Sequence, residues 1–234
     1  MKLSVIICAY NERQTILDAI HQAHAVELGA GWDKEVIVVD NFSTDGTREL
    51  LQSVDLPHVR TVFHPRNLGK SASVLTGISE ASGDYFVIFD ADLEYDANDL
   101  PRLLAEIVPG NTVAVFGSRT LGGRKIYEYA INFWAVRLLT SIANLLFRGR
   151  LTDIAVGLKL VRLDVVRSLN LNDADFDLDY ELPLKLLKRG DKIIEIPISY
   201  HPRTAEQGKK LVGWKAYHTG LRWLWIIVKT RLWG

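Results

Sequence analysis

The amino-acid sequence predicts an α/β fold, a mostly parallel central sheet with helices on both faces. Two observations carry that expectation. Short apolar, β-branched-rich runs alternate with helical patterns through the first half of the chain, the rhythm of parallel strands joined by crossover helices. Polar clusters then follow directly on three of those runs: Tyr10-Asn11-Glu12, Asp40-Asn41 and Asp90-Ala91-Asp92. In such a sheet the carboxyl ends of the strands form one rim, and ligands bind there.

The first strand is expected over Leu3–Ala9. Polar Asn11-Glu12-Arg13 follows too soon for the apolar segment of a signal peptide, so a secreted protein is not expected. A helix over Thr15–Ala25 leads to a strand over Glu35–Asp40, then a helix over Thr47–Ser53 and a strand over Val59–Phe63. A helix over Ser71–Ala81 precedes the strand Tyr85–Phe89, whose unbroken apolar character suits burial on both faces. A helix over Asn98–Ile107 and a strand over Thr112–Phe116 complete the alternation. Tyr85–Phe89 runs straight into Asp90-Ala91-Asp92. Two carboxylates one residue apart at the end of a buried strand resist joint ionisation. A hard divalent cation relieves that cost and can bridge to substrate phosphates, whereas an isolated pair of this kind is as readily a solvated turn.

From Gly122 the texture changes. Residues 125–147 read as one or two amphipathic helices, in which basic residues flank or interrupt an apolar set. Arg137 breaks the longest apolar stretch, Ile131 to Phe147, which falls short of the ~20 residues a spanning helix needs. In the tail, Leu211, Trp214, Tyr217, Leu221, Leu224, Val228 and Leu232 recur at three- and four-residue steps as one apolar face, with Lys215, Arg222 and Lys229 on another. Basic amphipathic helices rich in Trp suit the headgroup plane of an anionic membrane. The alternatives are packing on the domain, or an interface with a second copy or a membrane-protein partner.

Lys plus Arg number 28 and Asp plus Glu 28, so no global field suits nucleic acid. The single cysteine, Cys8, excludes an intramolecular disulfide framework and fits a reducing, cytoplasmic setting, where it reads as a small buried strand residue.

Four motifs stand in order. They are Cys8-Ala9-Tyr10-Asn11-Glu12, Val38-Val39-Asp40-Asn41-Phe42-Ser43-Thr44-Asp45-Gly46-Thr47, Arg66-Asn67-Leu68-Gly69-Lys70 and Asp90-Ala91-Asp92. Together they resemble glycosyltransferase family 2, inverting enzymes with the nucleotide-diphosphosugar-binding fold called GT-A. The resemblance implies a donor site of Cys8, Tyr10, Glu12, Asp40, Lys70, Asp90, Ala91 and Asp92, with Asp90 and Asp92 binding Mg²⁺ or Mn²⁺. Tyr10 offers a stacking ring, Glu12 an acceptor for base N–H groups, and Asp40 an acceptor for ribose or base. The Thr44–Thr47 segment reads as a turn and helix start. Cys8 stands where the family has Pro, and Asn41 replaces a second acidic residue, removing a charge near the nucleotide.

In the second half, Gly117-Ser118-Arg119, Asp153 with Gly157-Leu158-Lys159, Phe176 to Glu181, and Ile196-Pro197-Ile198 before Arg203 are similar to dolichyl-phosphate mannose synthase and related polyprenyl-phosphate glycosyltransferases. That resemblance implies a nucleotide-sugar-binding half over 1–121, and an acceptor half over 122–210 with a donor-covering loop at 203–210. The basic amphipathic tail over 211–234 would complete one integrated catalytic domain. The implied reaction moves one sugar from GDP-mannose or a UDP-hexose to a polyprenyl phosphate, on the cytosolic face of a membrane. Arg119, Arg124 and Arg137 would receive the acceptor phosphate, and Arg203 and Lys209 would clamp the donor diphosphate. Asp153 and Glu181 are the remaining motif carboxylates, one of which would act as base if the acceptor were a hydroxyl. Two other readings share these motifs, a soluble transferase acting on such a hydroxyl and a non-catalytic nucleotide-sugar-binding subunit.

Overall fold

The computed structural model describes residues 1–121, 130–171, 178–203 and 214–233, with side chains from 133 in the second stretch and from 220 in the last. Strands β1 (Lys2–Ala9), β2 (Asp33–Asp40), β3 (Val59–Phe63), β4 (Tyr85–Ile88), β5 (Ala114–Ser118), β6 (Lys159–Arg162) and β7 (Ile193–Pro197) form one seven-stranded sheet in the order β3-β2-β1-β4-β6-β5-β7. All pairings are parallel except those of β6, which runs antiparallel to β4 and β5. The helices are α1 (Ile16–Ala25), α2 (Thr47–Gln52), α3 (Lys70–Glu80), α4 (Leu100–Ala105), α5 (Ala130–Phe147), α6 (Leu163–Ser168), α7 (Leu178–Arg189) and α8 (Trp214–Trp233). Every strand and helix expected in the first half is present. The fourth helix is shorter than expected, because a 3₁₀ turn at Ala97–Asp99, capped by the Asp96 side chain, takes up its start.

All four residues of β4 are buried, as a strand between two neighbours and under helices must be. Helix α3 approaches the sheet closely at Gly77, where a Cβ would stand 2.4 Å from Ile6 Cγ2. Only a glycine lets α3 lie that near β1. The chain winds outward from β1 to β3 and returns to β4 on the other side of β1, creating a topological switch point. Register brings the strand ends level there. Ala9 pairs with Asp40, Ile6 with Ile88, and Phe89 N–H donates to the Ile6 carbonyl at 2.9 Å. Tyr10, Asn41 and Asp90 therefore begin the same rim.

The segment after residue 122 completes this sheet, since it supplies β6 between β4 and β5 and β7 at the edge. A second apolar cluster joins α5, α7 and α8 through Leu139, Ala143, Phe147, Tyr180, Leu184, Ile226 and Ile227. Tyr180 stacks on Trp223 with centroids 4.5 Å apart. The tail is helical as expected. Ile226, Ile227 and Thr230 are buried, while Leu221 and Leu232 point outward with Trp225 and Trp233. Leu224 packs partly against the same cluster. On α5 the outward residues include Trp134, Leu138 and Leu145, the last 80% exposed. Among the described residues no helix is long and apolar enough to cross a membrane.

Candidate functional site

Two loops at the rim are laced together before any ligand-facing group is considered. Asn11 N–H donates to Ser43 Oγ at 3.0 Å, and Asn11 Oδ1 accepts from Thr44 N–H at 2.9 Å. Glu12 N–H donates to Thr47 Oγ1, whose hydroxyl donates to Asp45, and Asp45 also accepts from Arg13 N–H. The Thr44–Thr47 segment is thus a brace for the turn that presents Tyr10 and Glu12.

Beside it, the acidic pair at the end of β4 is matched by cations from distant segments. Lys70, first residue of α3, lies 3.1 Å from Asp90 Oδ1 and 3.2 Å from Asp179 Oδ2 of α7. Arg203, just past β7, spreads its guanidinium between Asp92 at 2.9 Å and Glu12 at 3.1 Å. Its backbone N–H is held by Glu94 at 2.9 Å, and Glu94 also accepts from the Tyr200 hydroxyl at 2.5 Å. Lys159 of β6 is fully buried 3.8 Å from Asp179, with its ammonium also donating to the Val156 carbonyl. Gly157 backs Asp90 closely, since a Cβ there would meet Asp90 Oδ2 at 2.4 Å, and its N–H donates to Tyr95 Oη at 2.7 Å.

The electrostatics follow from this crowding. Burial, with Asp90 and Glu94 nearby, raises Asp92 to about 6. Burial alone would lower Lys70, but Asp179 and Asp90 overcome it and hold the ammonium well above its ordinary value. Asp179 sits below the usual carboxylate range because Lys70 and Lys159 outweigh its burial. Lys159 falls to about 8, chiefly from burial. Burial likewise pushes the half-buried Cys8 thiol up to about 12, so it is a packing residue and not a nucleophile.

Among the described residues the rim carries five carboxylates (Glu12, Asp90, Asp92, Glu94, Asp179) and three cations (Lys70, Lys159, Arg203). No group of three or more metal-ligating side chains converges among the described residues. Asp90 and Asp92 therefore suit an ion of the Mg²⁺ type, which keeps several waters and takes phosphate oxygens as its other ligands.

Several expected site residues are placed otherwise. Asp40 has no exposed surface and accepts from Ser43 N–H and Arg48 Nη1, so its carboxylate supports the loop. Asn41 is also turned inward. Its Oδ1 accepts from Leu68 N–H at 2.8 Å and lies 3.0 Å from His64 Nδ1, tying the loop after β3 to the rim. The Ala91 side chain is buried in the core. Asp153 is fully buried and receives a two-pronged ion pair from Arg119, at 2.7 and 2.9 Å, which holds it below the usual carboxylate range despite burial. It is thereby unsuited to act as base, and Arg119 is committed to it while lying over the Tyr200 ring. Glu181 is buried and paired along α7 with Lys185. Arg137 is exposed on α5. Arg124 and Lys209 lie outside the described residues, as does most of the expected loop at 203–210.

Sequence reasoning missed Asp179 and Lys159 as site residues, although each falls in a motif it had noticed. Among the described residues of the Phe176–Glu181 segment, Asp179 is the carboxylate paired with Lys70 and Lys159, and Glu181 pairs with Lys185. Two residues on a helix are about 200° apart, so the two cannot face the same way.

The model of the family described as "Glycosyl transferase family 2" matches residues 4–169. A dolichol-phosphate mannosyltransferase of Pyrococcus furiosus is 31% identical over 215 residues, covering 89% of this chain and 59% of that protein. An undecaprenyl-phosphate 4-deoxy-4-formamido-L-arabinose transferase of Salmonella enteritidis is 34% identical over 115 residues, 47% of this chain and 34% of that protein. The chain therefore spans less than two thirds of either relative's length. In fold it is similar to the crystal structure of glucosyl-3-phosphoglycerate synthase from Mycobacterium tuberculosis in complex with Mn²⁺, UDP and phosphoglyceric acid. That match has a TM-score of 0.74 at 17% identity, covering 99% of this chain and 78% of the other.

Proposed function

This chain belongs to glycosyl transferase family 2, and on that premise we propose that it moves a single sugar from a nucleotide diphosphosugar to a polyprenyl phosphate at a membrane surface, with inversion at the anomeric carbon. The observation that carries the reading is the acidic pair at the β4 rim, with Lys70 3.1 Å from Asp90 and Arg203 2.9 Å from Asp92. Asp90 and Asp92 would hold Mg²⁺ or Mn²⁺, which when bound neutralises charge on a departing nucleoside diphosphate. Lys70 and Arg203 stand on those same carboxylates and, among the described residues, would meet an incoming diphosphate. The planar fork of Arg203 suits two phosphate oxygens at once. Asp179, itself paired with Lys159, anchors Lys70 from below and keeps it charged and oriented.

The acceptor class rests on what the carboxylates are doing. Asp153, Asp179 and Glu181 are each ion-paired, and the first two are held below the ordinary range, which makes them poor bases. An acceptor phosphate arrives already ionised and needs no proton removed. Both named relatives act on lipid-linked phosphates by their descriptions. The outward Trp and Leu residues of α5 and α8, interleaved with exposed Arg137, Lys229 and Arg231, suit an anionic lipid surface, which we assign to the cytosolic face. Incubation with radiolabelled GDP-mannose, UDP-glucose or UDP-N-acetylglucosamine and a short polyprenyl phosphate is expected to give an acid-labile product soluble in organic solvent. Absence of that product with every donor, under conditions where the protein binds nucleotide, would refute the acceptor assignment.

A further inference from the structure

Two cations at the rim are each shared between one member of the acidic pair and one carboxylate outside it. Lys70 Nζ stands 3.1 Å from Asp90 Oδ1 and 3.2 Å from Asp179 Oδ2, and Arg203 spans Asp92 and Glu12 in the same manner. The Lys70 side chain is 22% exposed, that of Asp90 20% and that of Asp179 19%, so a small ion or a phosphate reaches this junction from solvent.

The outer partner of Lys70 is held firmly. Lys70 opens α3, and Asp179 lies in the first turn of α7. The Leu178 N–H ties the two helix starts together by donating to the buried Ser71 Oγ at 3.2 Å. A carboxylate in the first turn of a helix is favoured by the helix dipole. The second oxygen of Asp179, Oδ1, lies 3.8 Å from the fully buried Lys159 ammonium. Asp179 thus stays anionic and in place whichever way Lys70 leans. Passing from an even share to full contact with Asp179 takes only a small turn of the flexible lysine stem, with α3 and α7 unmoved.

The contact with Asp90 is the one in conflict with the ion that the donor reading assigns there. A single carboxylate serving both an ammonium and a divalent ion would hold two cations within a few ångströms, and like charges so close repel. We infer that Asp179 is a positioning residue, the second seat of the Lys70 ammonium, onto which Lys70 shifts as it cedes Asp90 to a divalent ion. Lys70 competes with that ion when no nucleotide is present, and from its second seat it stays beside the acidic pair to meet a diphosphate. The inference rests on the donor reading above and adds what sets the metal affinity, the contest of Asp90 and Asp179 for one ammonium.

The test titrates Mn²⁺ without nucleotide, following the free ion by paramagnetic resonance. It compares wild type, Lys70→Gln, Lys70→Arg, Asp179→Asn and the double variant Lys70→Gln with Asp179→Asn, each checked for folding by circular dichroism. Lys70→Gln removes the competing charge and should take up Mn²⁺ at least about tenfold more tightly, the scale on which a like charge at this distance shifts an ionic equilibrium. Lys70→Met replaces it should that variant fold poorly, and Lys70→Arg, which keeps the charge, should match wild type. Asp179→Asn leaves the ammonium to Asp90 alone and should weaken uptake, and that loss should vanish in the Lys70→Gln background. Unchanged or weaker uptake by Lys70→Gln would overturn the inference. So would an equal loss from Asp179→Asn in both backgrounds, which would make Asp179 a direct partner of the ion. Wild-type uptake that neither UDP nor GDP strengthens would instead refute the donor reading, and the second seat would fall with it.

Discussion

Replacing Gly157 by alanine adds one methyl carbon, 2.4 Å from Asp90 Oδ2, 2.9 Å from Tyr95 Cε2 and 3.1 Å from Tyr95 Oη. Ordinary contact begins at 3.4 Å, so something must retreat by about 1 Å. Tyr95 is buried, and its hydroxyl accepts from the very N–H of residue 157. The Asp90 carboxylate is the freer group, and it is the one that yields. Overpacking should cost about 1–3 kcal/mol of stability, and a displacement of this size at a reacting centre roughly 10²-fold in turnover. The matching control is Gly77→Ala, whose new carbon meets Ile6 at the same 2.4 Å but lies in the core between α3 and β1. Calorimetric titration of Mn²⁺ with UDP or GDP, together with turnover per folded molecule, separates the two. Gly157→Ala should lose metal-dependent nucleotide binding, and Gly77→Ala should lose only stability. Wild-type metal dependence in Gly157→Ala, or an equal loss in Gly77→Ala, would refute the reasoning.

Lys159, lowered to about 8, should give donor binding an alkaline limb above about pH 8, which Lys159→Arg removes because arginine stays charged; a limb unchanged in that variant would contradict this. The sign for stability is the opposite. Between about 8 and the ordinary lysine value of ~10.4 the unfolded chain binds more protons, so the contribution of this group to stability rises with pH. Asp153→Asn leaves Arg119 buried without its anionic partner and should cost about 3–5 kcal/mol in chemical denaturation. Because the folded pKa of Asp153 is depressed, wild-type stability from this pair is present above the unfolded value of ~3.9 and lost as pH falls below it; the variant should lack that acid dependence. Leu145→Glu with Trp225→Glu should abolish sedimentation with anionic vesicles while leaving nucleotide binding intact, and retained sedimentation would exclude these helices as the lipid contact.

The first half of the fold was legible because its strands are apolar and separated by ordinary crossover helices. β6 was not, since Lys159–Arg162 is short, begins and ends in a cation, and becomes a strand only by slotting between β4 and β5. β7 is masked by Glu195 and a terminal proline, and α7 by Pro183 within it. At the site, Glu12, Lys70, Asp90, Asp92 and Arg203 were readable as a group, and the structure brings them into one ion-paired cluster. The inward hydrogen bonds of Asp40 and Asn41 were not legible, because a motif reveals that a polar residue is required and not which way it turns. Loop support and ligand contact require the same residue types. Asp179 was passed over for Glu181 because choosing between them requires the rotation of α7, which the chain alone does not give.

The account depends most on a divalent ion held between Asp90, Asp92 and a nucleotide's diphosphate. Electron paramagnetic resonance of Mn²⁺ measures this directly, by following the free-ion signal as protein is added with and without UDP or GDP. The signal should fall strongly only when nucleotide and wild-type protein are both present, and Asp92→Asn should restore it. Undiminished Mn²⁺ uptake by Asp92→Asn, or nucleotide binding of equal strength after chelation of all metal, would contradict the account.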